Sequence, residues 1–333
     1  MHAPSLKSLP DVEVVAIAGR SKEKAQKVAA ALDIPHAVAG FRGLLDFHPD
    51  AVMIALPPAE NALATAYFIE HGIPVLCEKP LAGDVQAAAR LVALGDHLPH
   101  AVDFQFPELP AFIVARESLL RGEIGSIAEV RLTWLVESYA VRNRLKGWKQ
   151  ESGGATGGVL PLLVSHVFYL AEWLNACLVG IDAQLSAEGM SWSPEMPTAP
   201  DTVRLRATFE NGSVLNAEIS NAAEGEHIHI WRFLGEHGEL CIENPLSDYM
   251  SGFSTRIEEG GGVRMLHSRA AKSDSDGRIA PFLSLASRFL AGVRSGQKTY
   301  PDFRSGWRVQ CAIDACMRSH VEGRTIPLSD YRT

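Results

Sequence analysis

Among 333 residues there are only five cysteines, Cys77, Cys177, Cys241, Cys311 and Cys316, widely spaced and with no C-x-x-C pair. An odd, scattered set excludes a disulfide framework and a structural zinc site, and these residues read as small buried hydrophobes. Positive charge is also scarce: 31 Lys and Arg against 39 Asp and Glu leave a net charge of -8, with the basic residues dispersed. Such a chain has no field for a phosphate backbone, so nucleic acid is excluded as a partner. No apolar run approaches the roughly 20 residues that span a bilayer. The first ten residues lack the apolar centre of a secretory signal, which makes a cytoplasmic protein the expectation. With 47% hydrophobic residues, disorder is excluded too, and the apolar mass suffices for one large or two medium domains. A last absence concerns the start, where nothing before Asp11 resembles a strand followed by G-x-G-x-x-G.

What is present begins as an alternation of strands and helices. Val12–Ala18 is a β-branched run, after which Ser21 is placed to cap a helix over Lys22–Leu32 whose Ala25, Val28, Ala29 and Leu32 share one face. A short strand at Ala37–Ala39 and a helical turn at Phe41–Phe47 follow. Further strands are predicted at Ala51–Leu56, Pro74–Cys77 and Ala101–Phe104, with helices at Asn61–His71 and Asp84–Leu94. Alternation of this kind means βαβ units and a parallel sheet covered on both faces. Beyond about Pro107 the pattern changes. A helix at Glu108–Arg121 leads into longer strands at Ile127–Val136, Thr202–Glu210, Ser213–Ser220, His227–Leu234 and Glu239–Glu243, and Asn211-Gly212 marks a hairpin because both residues tolerate positive φ. Helices are expected at Gly158–Leu174, Pro281–Arg294 and Phe303–His320, and the polar stretch Ser251–Gly277 reads as an irregular loop or a hairpin. The expected architecture is an α/β dinucleotide-binding domain over residues 1–104, then an α+β domain over 105–333 with a mostly antiparallel open sheet, its C-terminal helix packing back on the first domain.

The sharpest chemical signal is Cys77-Glu78-Lys79-Pro80 at the carboxyl end of a parallel strand, where open α/β sheets bind ligands. A partly desolvated lysine there exchanges a proton with a hydroxyl or carbonyl near neutral pH, and Glu78 would orient it. The plainer reading of the same residues is a solvated ion pair at a strand end.

Several elements taken in order decide between the two. Asp11–Ala18, Asp50–Pro58 followed by Asn61, Gly72–Ala82 with its Glu-Lys-Pro, Gly122–Gly125 before a strand, and Gly157-Gly158 before a helix carrying His166 together resemble the glucose-fructose oxidoreductase and inositol dehydrogenase family (Gfo/Idh/MocA) over essentially the whole chain. The resemblance implies a Rossmann-type first domain with NAD or NADP as cofactor. Lys79 would be the proton-transferring lysine and Pro80 its neighbour beside the nicotinamide. Leu56 and Pro57 would lie in the turn along the adenosine and pyrophosphate side, with Asn61 the polar residue closing it. Glu78 and Gln105 would stand near the nicotinamide and its ribose, and His166 would contact the reacting oxygen. The plainer reading of His166 is a satisfied polar group on a buried helix.

Two departures from the family's pattern stand out. Many members have an Asp four residues before this His, where Leu162 stands here, so the acid-base pair reduces to Lys79 and His166. The phosphate-binding loop, whose glycines let backbone N–H groups approach the pyrophosphate, has no counterpart. Met1–Leu9 instead reads as the second half of the helix after such a loop, so that either Met1 is internal to a longer protein or the chain is a shortened member. At the strand end near Ala18, where NAD-preferring sites place an acid, Gly19-Arg20-Ser21 offers a guanidinium and a hydroxyl that suit a 2′-phosphate, favouring NADP over NAD. The plainer reading makes Arg20 a solvated loop residue and Ser21 only an N-cap.

Two weaker signals remain. Arg142, Arg144, Lys146, Trp148 and Lys149 precede the Gly153-Gly154 and Gly157-Gly158 pairs and read equally as a substrate border or a solvated loop. His227 and His229 alternate with Trp231 at metal-like spacing but without a third ligand, which favours a sheet surface at a subunit contact, and no metal is expected. The function these readings converge on is hydride transfer to or from a sugar, cyclitol or related small polyol in a homodimer or homotetramer. Two alternatives stay open: a non-catalytic relative that keeps only a binding or oligomer surface, and a reductase of a non-sugar ketone, imine or linear tetrapyrrole.

Overall fold

The computed structural model describes residues 1–143, 157–187, 199–248, 250–269 and 276–332. The chain opens with helix α1 (His2–Lys7), whose neighbours Met1, Leu6 and Leu9 pack on the apolar face of a later helix. Strand β1 (Ala16–Gly19), helix α2 (Lys22–Leu32) and strand β2 (His36–Ala39) form a parallel βαβ unit in which Ala16 pairs with His36. Ser21 caps α2, its Oγ accepting from the Lys24 N–H at 3.3 Å. After a 3-10 segment at Phe41–Phe47 come strand β3 (Val52–Ile54), helix α3 (Pro58–Glu70), strand β4 (Val75–Cys77), helix α4 (Val85–Gly95) and strand β5 (His100–Val102).

The expected single parallel sheet is found as two ladders, β1-β2 and β3-β4-β5, which share no hydrogen-bonded strand. The physical contrast between them is in burial. All three residues of β4 are buried, as befits a central parallel strand covered on both faces, whereas β1 is half-exposed along its whole length. Val12–Val15, expected as strand, lies outside any ladder because β1 begins only at Ala16.

The second half starts with helix α5 (Pro110–Leu120) and a long strand β6 (Ile127–Glu137), followed by the single turn α6 (Tyr139–Arg142). A π-helical turn, Leu160–Val164, runs directly into helix α7 (Ser165–Leu174). Strands β7 (Leu178–Ser186), β8 (Thr202–Phe209), β9 (Val214–Ser220), β10 (Ala222–Gly235), β11 (Glu239–Asn244), β12 (Ser254–Glu259) and β13 (Gly262–His267) follow. Helices α8 (Ile279–Ser295) and α9 (Phe303–Glu322), a two-residue strand β14 (Ile326–Pro327) and a 3-10 turn at Leu328–Asp330 complete the described chain. The large sheet runs β13-β12-β11-β10-β6-β9-β8-β7-β14, antiparallel except where β6 lies parallel to β9.

Its inner face carries Val130, Leu132 and Trp134 of β6 with Trp231 and Phe233 of β10, and merges with the helices into one core. Helix α9 closes that core by packing against α4 of the first half and β7 of the second. The polar stretch after Ser251 holds the hairpin β12-β13, and β7 is a strand the sequence did not signal.

Candidate active site

Strands β3, β4 and β5 are parallel and in register, Ile54 against Cys77 and Cys77 against Val102. Whatever follows these three residues therefore stands along one edge of the ladder. That edge carries Leu56 and Pro57 after β3, Glu78 and Lys79 after β4, and Asp103 and Gln105 after β5. The crevice outside the carboxyl ends of parallel strands is where such sheets hold ligands. Leu56 is exposed at the edge, and Pro57 leads into α3.

The loop bearing Lys79 is fixed from beneath. Asn61, fully buried on α3, donates from Nδ2 to the Glu78 carbonyl at 3.0 Å and to the Leu81 carbonyl at 3.3 Å. Two main-chain acceptors at either end of Glu78–Leu81, one part-buried and one buried, are thereby satisfied by one side chain. Asn61 thus holds the loop instead of lying open at the ligand edge. The Lys79–Pro80 peptide is cis.

Lys79 reaches across to the second half of the chain. Its Nζ donates to the Leu162 carbonyl at 2.6 Å and to the Pro161 carbonyl at 3.1 Å, both in the π-helical turn. The Ser165 hydroxyl also donates to the Pro161 carbonyl, at 2.9 Å. One residue further, His166 sets its ring edge-on to Phe106 at 5.1 Å and Phe104 at 6.1 Å, with Nδ1 buried and making no hydrogen bond. Burial, reinforced by the charge on Lys79, holds the His166 imidazole well below the usual histidine range. At neutral pH His166 is therefore neutral, with one ring nitrogen a donor and the other an acceptor.

On the near side of the loop, His2 of α1 places Nε2 3.1 Å from Glu78 Oε1 and 3.4 Å from Asp103 Oδ2. Gln105 donates from Nε2 to the same Asp103 oxygen at 2.8 Å. Burial opposes charge on all three members of this cluster, yet the two carboxylates together raise His2 to about 9. His2 in turn keeps Glu78 below the usual carboxylate range, while burial and the charge of Glu78 leave Asp103 raised to about 6. These three groups also bring ligand-type atoms within 4.8 Å of one another, a grouping that the sequence did not signal because His2 and Asp103 carry no motif.

The remaining sequence-predicted residues lie elsewhere. Arg20 and Ser21 are exposed at the end of β1, in the other parallel ladder, and the Ser21 hydroxyl is engaged as the cap of α2. Arg144, Lys146, Trp148, Lys149 and Gly153-Gly154 fall outside the described residues. His229 corrects the expectation of a sheet surface. It is buried, stacked 4.1 Å from Trp134, and its Nε2 accepts from Trp231 Nε1 at 3.0 Å; burial pushes it down to about 3. Trp231 and Phe233 on the same face of β10 turn that face toward the core.

The donor set at this edge suits one end of a dinucleotide. At the nicotinamide end the residues fit: Lys79 is held at the end of a parallel strand, the Gln105 amide follows the neighbouring strand, and neutral His166 keeps an orphaned buried nitrogen. At the pyrophosphate end, the sequence offers no glycine-rich loop.

Comparison with known proteins decides the family. Residues 1–102 match the model of the oxidoreductase family's NAD-binding Rossmann fold, and residues 116–328 match its C-terminal alpha/beta domain. The chain belongs to the GFO_IDH_MocA oxidoreductase family. Members similar to it include inositol 2-dehydrogenase of Corynebacterium glutamicum, 34% identical over 71% of this chain and 72% of that protein. Levoglucosan dehydrogenase of Pseudarthrobacter phenanthrenivorans is 26% identical over 94% of this chain and 88% of its own. A structure of a levoglucosan dehydrogenase with NADH and levoglucosan superposes with TM-score 0.84 at 21% identity, covering 98% of this chain and 95% of that one, a likeness of fold. This GFO_IDH_MocA member is accordingly an oxidoreductase with a Rossmann-type domain followed by a mostly antiparallel one.

Proposed function

We propose that the protein transfers a hydride between a nicotinamide cofactor and a carbon bearing a hydroxyl or carbonyl on a sugar, cyclitol or related small polyol. The observation that carries this reading is the placement of Lys79, at the ligand edge of β4 and within hydrogen-bond reach of the turn that presents His166. The names of the relatives, an inositol and a levoglucosan dehydrogenase, support the substrate class. When bound, the nicotinamide supplies the hydride donor or acceptor. In oxidation Lys79 Nζ takes the hydroxyl proton as the C–H electron pair leaves, and in reduction it returns that proton to the forming alkoxide. His166, neutral in its apolar setting, hydrogen-bonds the same oxygen and orients it.

Glu78 and Gln105 border the nicotinamide, and Leu56 and Pro57 the remainder of the cofactor. Arg20 and Ser21, with no acid beside them, favour NADP by offering a cation to a 2′-phosphate. We place the domain boundary at residues 104 and 105, and we take the assembly to be a cytoplasmic homodimer or homotetramer formed on the open sheet. Among the described residues no helix is long and apolar enough to cross a membrane.

Fluorescence titration with NADPH and NADH, followed by turnover assays on inositols, anhydrosugars and aldoses, tests the reading. Lys79→Ala is expected to reduce kcat on the order of 10²–10⁴-fold, the usual worth of a positioned acid-base group. Unchanged turnover in that variant would remove Lys79 from the mechanism, and tighter binding of NADH than of NADPH would reverse the cofactor preference.

A further inference from the structure

Three buried ring nitrogens gather around Phe106 and make no hydrogen bond among the described residues: Nε1 of Trp134, Nδ1 of His229 and Nδ1 of His166. Phe106 meets the three rings at 5.6, 5.6 and 5.1 Å. Trp134 and His229 stand directly opposite each other on β6 and β10 and stack at 4.1 Å, with His166 6.4 Å from Trp134. A buried polar group without a partner bears its full desolvation cost, so three in one cluster point to a common partner.

The protons on these rings can be assigned one at a time. Trp231 Nε1 lies 3.0 Å from His229 Nε2, and an indole nitrogen only donates, so Nε2 is bare. His229 is uncharged, burial pushing it down to about 3, and its single proton therefore sits on Nδ1. Trp134 Nε1 is a donor for the same reason as Trp231. The cluster thus holds two donors, and only His166 Nδ1 can be either donor or acceptor. Protonated, it would make three buried donors with no acceptor; bare, it completes the set.

We propose that His229, its proton fixed on Nδ1 by Trp231, is a positioning residue for His166: through one ordered water that accepts from Trp134 and His229 and donates to His166 Nδ1, it holds His166 as the tautomer protonated on Nε2. A water accepts twice and donates, which matches this set, and a hydrogen bond at one imidazole nitrogen decides which nitrogen carries the proton. The consequence for the reaction rests on the proposed contact of His166 with the reacting oxygen. That oxygen meets an N–H in both directions, as a hydroxyl losing its proton to Lys79 and as a carbonyl gathering charge while hydride arrives. Nε2, already protonated, cannot take the hydroxyl proton, which leaves Lys79 as the base.

The test is nitrogen–proton correlation NMR on the full chain labelled with ¹⁵N-histidine, without nucleotide or substrate. Protonated and bare ring nitrogens resonate apart, and the two rings are assigned by loss of their signals in His166→Gln and His229→Leu. In the parent protein His229 is expected to be protonated on Nδ1 and His166 on Nε2. A His166 protonated on Nδ1 there would overturn the proposal, whatever the His229 variants do. His229→Leu removes the donor and is expected to move His166 Nδ1 toward the protonated position as the tautomers mix. His229→Asn, which sets an amide nitrogen where Nδ1 stood, is expected to keep the parental His166 signals. No movement in His229→Leu, or equal movement in both variants, would also overturn it. Turnover is not needed for this readout: unchanged kcat in Lys79→Ala would sink the proposed reaction and leave the tautomer standing, and the wrong tautomer would do the reverse.

Discussion

At the scale of single residues, the charge cluster behind the Lys79 loop makes a prediction about pH. His2 has a folded-state value of about 9 against an ordinary 6.5. A raised value binds the proton more tightly in the folded chain, so its contribution to stability is complete below about 6.5 and declines as pH rises through about 9. Asp103, raised to about 6, acts in the same sense: its contribution declines as pH rises from its ordinary value of 3.8 through about 6. Urea midpoints measured from pH 6 to 10 should therefore fall, and His2→Gln should flatten the fall between 6.5 and 9. An equally steep fall in the variant would mean that His2 is not the group responsible. The cluster also shows which residues were legible beforehand. Glu78 and Lys79 stood out because a charged pair and a proline at a strand end form a local pattern. Asp103 did not, because its role depends on an in-register partner strand and on a histidine about a hundred positions away. His229 was placed on the correct face of β10 with Trp231, but which face was inside follows from the helices that cover the sheet.

At the scale of elements, helices with strong end signals were recovered closely. Helix α2 has Ser21 as its cap, and α9 runs from the Asp302 cap to Gly323, near the expected Phe303–His320. Strand β7 was missed because its buried face uses Gly180 and Ala183 beside Ile181, too small to make an alternation. The π-turn was invisible for a different reason: apolar periodicity reports which face is inside, not whether one hydrogen bond spans four residues or five. Gly158 is the element-scale test of that turn. Alanine there must adopt φ near +82 and must also displace the Pro200 carbonyl, whose oxygen would lie 2.4 Å from the new carbon. The strained backbone alone costs of order 1–3 kcal/mol, and a clash against main chain adds to it. Gly158→Ala should lower the urea midpoint accordingly. A variant of parental stability would show that the segment carries no such constraint.

At the scale of the whole molecule, the two halves meet where the chemistry is placed, and α9 is the brace. It packs on α4 and β5 on one side and on β7 on the other. Gly306 lies at a close approach: a Cβ there would meet Leu81 Cβ at 2.8 Å and Val102 Cγ2 at 3.2 Å. Leu81 is the residue whose carbonyl Asn61 holds, one position beyond Pro80. Helix α9 therefore supports the Lys79 loop from below through direct packing. In an ordinary helix interior, Gly→Ala stabilises by up to about 1 kcal/mol. At Gly306 overpacking, typically ~1–3 kcal/mol, opposes that gain. The expected outcome for Gly306→Ala is a lower Tm, together with a loss of turnover out of proportion to it, because the displaced neighbour is the loop itself. Parallel measurement of Tm and kcat at a temperature where both proteins are fully folded separates the two effects. A fall in Tm with kcat unchanged would confine α9 to stability; a fall in kcat would place the last helix of the chain in control of the geometry at the end of β4.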